Sequence, residues 1–432
     1  MSHPAVGASN ITEQGVFNWR NVIGSMLGWG LDAYDFVAYS FVAPIIKGLF
    51  FGQLGNLGSM LATLAVFSIS LVVRPLGGVF FGNISDKIGR RYVLYITMLG
   101  AGLSSFLMGF LPTYAQAGLA AIILLLILRF AVGFFLGGEY SSSGIMSVES
   151  VTKWRGLASG IMQAGFDIGI FGVTFTYTIV ATYLPQSAMA TIGWRIVFWS
   201  GIVTTIVAFI FRRRFLTESP EWEKTEKVES PYKSLFRNYW LPMLTILLAT
   251  MGFLYEYYVM LELSPFILQN VLNYPDKLAG LILTVLSASD AVGSVFGGVL
   301  VDWLRSSKNA LLVVSISILV LIYPTMYGVL IVGNGWLVLL WDFLAVLPVG
   351  VMQVYIRDLL PANVRSTGAG LGYNGGTWLA AWAAIIATLM ASASTKPQPW
   401  LPSITINTLI GVVLMIASFV LATKVTKSLT SK

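Results

Sequence analysis

Apolar runs of about 20 residues or more follow one another along almost the whole chain, broken only by short polar connectors. An α-helix needs roughly 17–25 apolar residues to cross the hydrocarbon core of a bilayer, and strands are far shorter. The pattern predicts twelve helical spans, over 19–50, 58–83, 92–112, 117–148, 155–184, 191–213, 239–269, 277–303, 308–333, 335–359, 366–394 and 400–424. Polar segments remain at 1–18 and 425–432, read as tails, and at 214–238, read as a linker. The linker leaves six spans on either side, 19–213 and 239–424.

The two sets of six repeat one piece of punctuation. Between the second and third spans stands GGVFFGNISDKIGRRYVL (77–94), and between the eighth and ninth GSVFGGVLVDWLRSSKNALL (293–312). Both read glycine, apolar residues, aspartate, then a basic cluster. Such internal repetition predicts an all-α membrane protein of two pseudo-symmetric six-helix bundles, the plan of a transporter.

Composition excludes most other classes. The chain is 56% hydrophobic and 10% charged, with a mean hydropathy of +0.79, whereas soluble domains carry about 25% charged residues. The net charge of +7 sits at connectors on one side, around Lys87, Arg90, Arg91, Arg212, Arg213, Arg214 and Lys308. That is a topology signal rather than a nucleic-acid surface, and it predicts both termini in the cytoplasm of a multi-pass plasma-membrane protein. Cysteine is absent and the one histidine, His3, lies in the polar tail, so thiolate chemistry and an intramembrane histidine relay are excluded. Neither an H-E-x-x-H nor a G-x-x-x-x-G-K-[ST] motif occurs, which argues against an enzyme and against ATP-driven transport. No cofactor, metal or nucleic acid is expected; the expected partners are a small-molecule substrate, a proton and the lipid bilayer, with a monomer as the working unit. The first 18 residues lack a charged and then apolar leader, so no cleaved signal peptide is expected.

Gly82-Asn83-Ile84-Ser85-Asp86-Lys87-Ile88-Gly89-Arg90-Arg91 resembles the loop 2–3 signature of the major facilitator superfamily, G-x-L-A-D-R-x-G-R-R. Span count, central loop and repeat extend the likeness over essentially the whole chain. The resemblance implies a cytoplasmic latch in which Gly82, Asp86, Gly89, Arg90 and Arg91 govern conformational switching, with Asp302 and Arg305 in the second copy. GWGLDAYDF (28–36), LRFAVGFFLGGEYSSSGIMSVES (128–150) and GLASGIMQAGFDIG (156–169) look like the metabolite:proton symporters, and among them the sialate and lactate branch. LTESPEW (216–222) resembles the span 6 exit motif shared with sugar and phosphate porters. Gly165-Phe166-Asp167 stands where drug/proton antiporters carry Gly-Pro, which argues against multidrug export.

Charged side chains at membrane depth are costly and mark pathways or relays. At roughly 1.5 Å of rise per residue, Asp32 and Arg74 fall about 14–18 Å from the inner surface, near the midplane. The same arithmetic puts Glu139, Asp167, Asp290 and Asp342 in the central zone, Glu256 slightly further out, and Arg129 in the outer half of span 4. Asp32 and Asp35 share a helix face, and Arg74 on the next helix is a candidate partner for either. Asp32, Asp35, Glu139 and Asp167 are candidate proton carriers; Arg129 heads an R-x-x-x-G pattern with Gly133 that the resemblance links to proton transfer. Arg74, Tyr140, Gln163, Tyr255, Glu256, Tyr258, Tyr373 and Asn374 are candidate contacts for a small polar solute. The plainer alternative is a set of permanently paired charges that fix helix packing, above all at Asp290 and Asp342. Because the carboxyl groups outnumber Arg74 and Arg129, either several are protonated or the cavity favours a neutral or cationic solute.

The reading that follows is a proton-coupled symporter of a small organic acid such as a monocarboxylate, working by alternating access, with Arg74 drawing in the carboxylate. The alternative keeps the fold and makes the solute a sugar, amino acid, betaine or phosphate.

Overall fold

The computed structural model describes residues 17–430. The expectations for His3, the start of the N-terminal tail and the last two residues lie outside the described residues. Twelve long helices follow: α1 (Trp19–Phe51), α2 (Gly55–Ile88), α3 (Arg90–Met108), α4 (Leu119–Glu149), α5 (Arg155–Tyr183), α6 (Trp194–Phe215), α7 (Trp240–Phe266), α8 (Asp276–Leu304), α9 (Ser307–Leu330), α10 (Val338–Leu359), α11 (Arg365–Ala380, continued by Ala383–Ser392) and α12 (Trp400–Thr430). The twelve candidate membrane spans coincide with them. Two details differ from the sequence reading. Span 11 breaks near Trp382, and the linker carries two short helices, Pro220–Glu223 and Pro231–Asn238, each opened by a proline at a first-turn position where no N–H is needed.

Local chemistry sets the breaks. Gly89, at φ +113°, separates α2 from α3 in a conformation that side chains disfavour. Glu218 accepts from the backbone N–H of Arg90 and Arg91 at 3.0 and 3.1 Å, satisfying the first turn of α3. Prolines inside α1, α2, α7, α9 and α10 are tolerated because neighbouring helices shield the freed carbonyls.

Packing repeats with a period of six helices. In the first half α1 lies on α5 and α6, α2 on α4, and α3 on α4 and α6; in the second, α7 lies on α11 and α12, α8 on α10, and α9 on α10 and α12. Across the halves α2 meets α11 and α5 meets α8, while α4 meets α11 and α10 meets α5. Both main crossings are made backbone to backbone. A Cβ on Gly82 would stand 2.7 Å from the carbonyl oxygen of Ser366, and one on Gly156 would strike the carbonyl of Gly298. Gly82 and Gly298 occupy equivalent places in the repeat, four residues before Asp86 and Asp302. The repeat is therefore a contact device as well as punctuation.

Candidate functional site: a sealed end and a central cavity

The halves are clasped at the end of the bundle that carries the basic connectors. Asp86 of α2 accepts from the backbone N–H of Ser366 and Thr367 at 3.1 and 2.8 Å and from the Thr367 hydroxyl at 2.7 Å. Its oxygens thus cap the N-terminus of α11, where orphan N–H groups and the helix dipole favour an anion. Asp302 of α8 does the same for α5, accepting from Gly156 and Leu157 at 2.9 and 2.8 Å. Around the first cap Arg90 donates to Asp86 at 2.8 Å, to Glu149 at 3.3 Å and to the Ala362 carbonyl at 2.6 Å. Glu149 is also bonded by Arg365 and by the Ser219 hydroxyl, and Glu221 gathers Arg155, Arg357 and Arg365 at 2.6–3.2 Å. Glu149, Arg365 and Glu221 were not among the sequence candidates, because their partners lie far away in the chain. Conversely, Arg91 turns its Nε to Tyr95 within its own helix, and Arg305 ends α8 exposed and outside the described ion pairs. Neither joins the clasp.

A cavity of about 130 Å³ lies deeper in the bundle, lined from both halves. Trp29, Phe36, Arg74, Gln163, Phe166 and Asp167 come from the first half; Tyr257, Tyr258, Ser294, Tyr373 and Thr377 from the second. Arg74 is 5% exposed, lies over the Phe36 ring at 4.7 Å, and leaves Nε and Nη2 without protein partners. Asp32 lies within electrostatic reach of it, and the two oxygens of Asp32 are buried without any hydrogen-bond donor. Asp290 and Asp342 stand behind Asp167, around Tyr257. Among the described residues no basic side chain pairs with either, so they are not the permanently paired charges of the plainer reading.

Other candidates are placed differently. Asp35 shares a helix with Asp32 but points to α6, close to Gly201. Arg129 bonds the Ser70 hydroxyl at 2.7 Å and lies over Tyr39 at 4.4 Å, with no carboxylate bonded to it. Glu139 is ion-paired with Arg212, a residue the basic-connector reading had left at the membrane surface and which is fully buried. A third arginine therefore offsets the intramembrane carboxyls. Tyr255 donates to Asn407 at 3.1 Å and Glu256 packs near Gly411, both away from the cavity. Asn374 donates to the carbonyls of Gly137 and Gly370, stitching the halves together instead of facing solute. Tyr140 stacks on Tyr373 at 3.5 Å and so backs the cavity wall. Trp29, Phe166 and Tyr257 were missed. An aromatic stripe in an apolar helix carries no sign of which side it faces.

Twelve spans in two like halves, a cavity lined from both and a clasp between them at one end are the plan of a secondary transporter. A family model described as Major Facilitator Superfamily matches residues 25–385, and the chain belongs to that family. Among its relatives are the Proline/betaine transporter of Escherichia coli K12, 27% identical over 82% of this chain and 74% of the relative, and the Glycine betaine/proline/ectoine/pipecolic acid transporter OusA of Dickeya dadantii, 25% identical over 88% and 77%. The Shikimate transporter of E. coli K12 is 33% identical over half of each chain. The solved structure of the proton:xylose symporter XylE bound to 6-bromo-6-deoxy-D-glucose superposes with a TM-score of 0.74 at 16% identity, covering 93% of this chain and 94% of that one. The sialate and lactate branch expected from the motifs is thus corrected.

Proposed function

We propose that this protein is a proton-coupled symporter of a compact zwitterion of the proline or betaine kind. One observation carries the reading: a guanidinium, Arg74, and a carboxyl, Asp167, line the same small aromatic cavity. A cavity of about 150 Å³ accepts a molecule the size of benzene, so 130 Å³ suits an amino acid or betaine better than a larger solute. Arg74 offers two free donor directions to a carboxylate. Asp167 and the faces of Trp29, Tyr257 and Phe166 suit the cationic pole, since aromatic faces attract ammonium groups. The names of the relatives support this solute class over a monocarboxylate.

Coupling follows from Asp32. A buried carboxylate without donors costs several kcal/mol unless it takes a proton. With Asp32 neutral, Arg74 is uncompensated and binds the solute carboxylate. When Asp32 gives up its proton, its own carboxylate becomes Arg74's partner and displaces the solute. The clasp closes what the charge distribution marks as the cytoplasmic end, with both termini on that side. Alternating access then rocks residues 19–213 against 239–424 about the glycine crossings. Calorimetry on the purified protein with glycine betaine, proline, shikimate and xylose tests the solute class. Binding of the two zwitterions, lost in Arg74→Ala, is expected; binding of xylose or shikimate alone overturns it.

A further inference from the structure

We infer that Arg212 is the positioning residue of the proton site: it holds Glu139 as a fixed negative charge beside Asp32, so that the exchangeable proton resides on Asp32 and not on Glu139. The inference rests on the symport reading for Asp32 as carrier, but its geometry is independent of the solute. Arg212 has no exposure, and each nitrogen of its guanidinium group is bonded. Nε donates to the Gly24 carbonyl at 2.9 Å, Nη1 to the Leu94 carbonyl at 3.0 Å and to Glu139 Oε2 at 3.2 Å, and Nη2 to Glu139 Oε1. Glu139 Oε2 also accepts from the Thr97 hydroxyl at 2.7 Å. Four helices, α1, α3, α4 and α6, therefore converge on one ion pair.

Gly28 brings that pair against α1. A Cβ there would run into both the Arg212 guanidinium and Glu139 Oε1. Gly28 lies one turn before Asp32 on the same helix face, so the pair packs against the face of α1 that carries the proton site. Glu139 has three donors and Asp32 has none. Of two neighbouring carboxyls, the one with donors keeps its charge and the other keeps the proton.

The charged groups facing Asp32 are Glu139 from α4, Arg74 from α2, Arg212 from α6 and Asp35 from its own helix. α5 meets α1 through Gly165 and Gly169 and turns its one carboxyl, Asp167, to the cavity. α3 contributes the uncharged Thr97; its arginines, Arg90 and Arg91, form its first turn, where Arg90 is bonded to Asp86 and Glu149 and Arg91 to Tyr95. Arg212 thus acts through Glu139, and Glu139 is a fixed charge in this scheme, not a carrier.

Infrared difference spectroscopy of the full chain in lipid nanodiscs at pH 7, without solute, tests this. The wild type is expected to show the C=O stretch of a protonated carboxyl that Asp32→Asn removes. Glu139→Gln leaves Arg212 free to compensate Asp32, and the protonated-to-ionised ratio of Asp32 should fall about tenfold or more, the effect of a neighbouring charge. Arg212→Lys keeps the charge and should retain most of the band. Arg212→Met should pass the proton to Glu139, and if that variant fails to fold, Glu139→Gln decides alone. An unchanged Asp32 band in Glu139→Gln, no such band in the wild type, or a wild-type band removed by Glu139→Gln and not by Asp32→Asn, overturns the inference. Since no solute is present, a failed zwitterion-binding experiment leaves this result standing, and the converse also holds.

Discussion

The carboxylate of Asp86 receives both the backbone N–H and the hydroxyl of Thr367, at 2.8 and 2.7 Å, across the boundary between the two halves. Hydrogen bonds to a charged group contribute about 1.5–3 kcal/mol each, and the state that makes them is favoured by that amount over one that does not. Asp86→Asn should therefore shift the population away from the clasped form by about tenfold to a hundredfold. Solute affinity measured by calorimetry on the clasped form should change little, since Asp86 does not line the cavity, while the transport rate should fall. A large loss of affinity with a normal saturating rate would contradict the latch role.

Asp302→Asn should act in the same direction and more weakly. Asp302 caps α5 through two backbone bonds but makes no ion pair among the described residues, Arg155 acting on it only at longer range, and it is only half-buried. In Asp86→Asn/Asp302→Asn the losses should be close to additive in free energy, because the two caps have no partner in common and both favour the same clasped form. Rates in proteoliposomes for the two single variants and the pair settle the comparison.

Gly156→Ala should open the sealed end. Its Cβ has no room against the Gly298 carbonyl, and close-packed backbones cannot both stay in place. The chain has no cysteine, so single cysteines introduced near Arg155 and Arg305 report access directly. Faster alkylation from the basic side is expected in Gly156→Ala than in the wild type. Equal rates would mean that the crossing is slack.

Much of the fold and part of the site could be read from the sequence, for identifiable reasons. Span number follows from length and hydropathy, and the repeat puts Asp86 and Asp302 at equivalent positions because each lies near the end of a helix at the same offset from its crossing glycine. Arg212 escaped because the topology rule groups it with Arg213 and Arg214. Yet Gly201, Thr205, Ala208 and Arg212 form a buried stripe at helical spacing, and that periodicity points Arg212 inward. Glu149 and Arg365 gave no such signal, being 216 residues apart. Asn374 and Tyr255 were chosen for polarity alone, and polarity does not tell a cavity wall from a helix–helix bond.

Arg74→Lys should lower zwitterion affinity about tenfold and Arg74→Ala about a hundredfold, since a lysine replaces a two-pronged grip by a point charge. Asp32→Asn should bind as well as the wild type or better, because its neutral amide never competes for Arg74. Calorimetry with glycine betaine reads both. Weak binding in Asp32→Asn would place Asp32 in direct contact with the solute's cationic pole instead.

Proton movement with the solute tests the central claim most directly. Glycine betaine added to lightly buffered proteoliposomes, with no sodium present and the membrane potential clamped, should alkalinise the outer medium as proton and solute enter together. Asp32→Asn should abolish the alkalinisation while still catalysing exchange of betaine across the membrane. Betaine uptake without any pH change, or uptake that runs only on a sodium gradient, would contradict proton-coupled symport through Asp32.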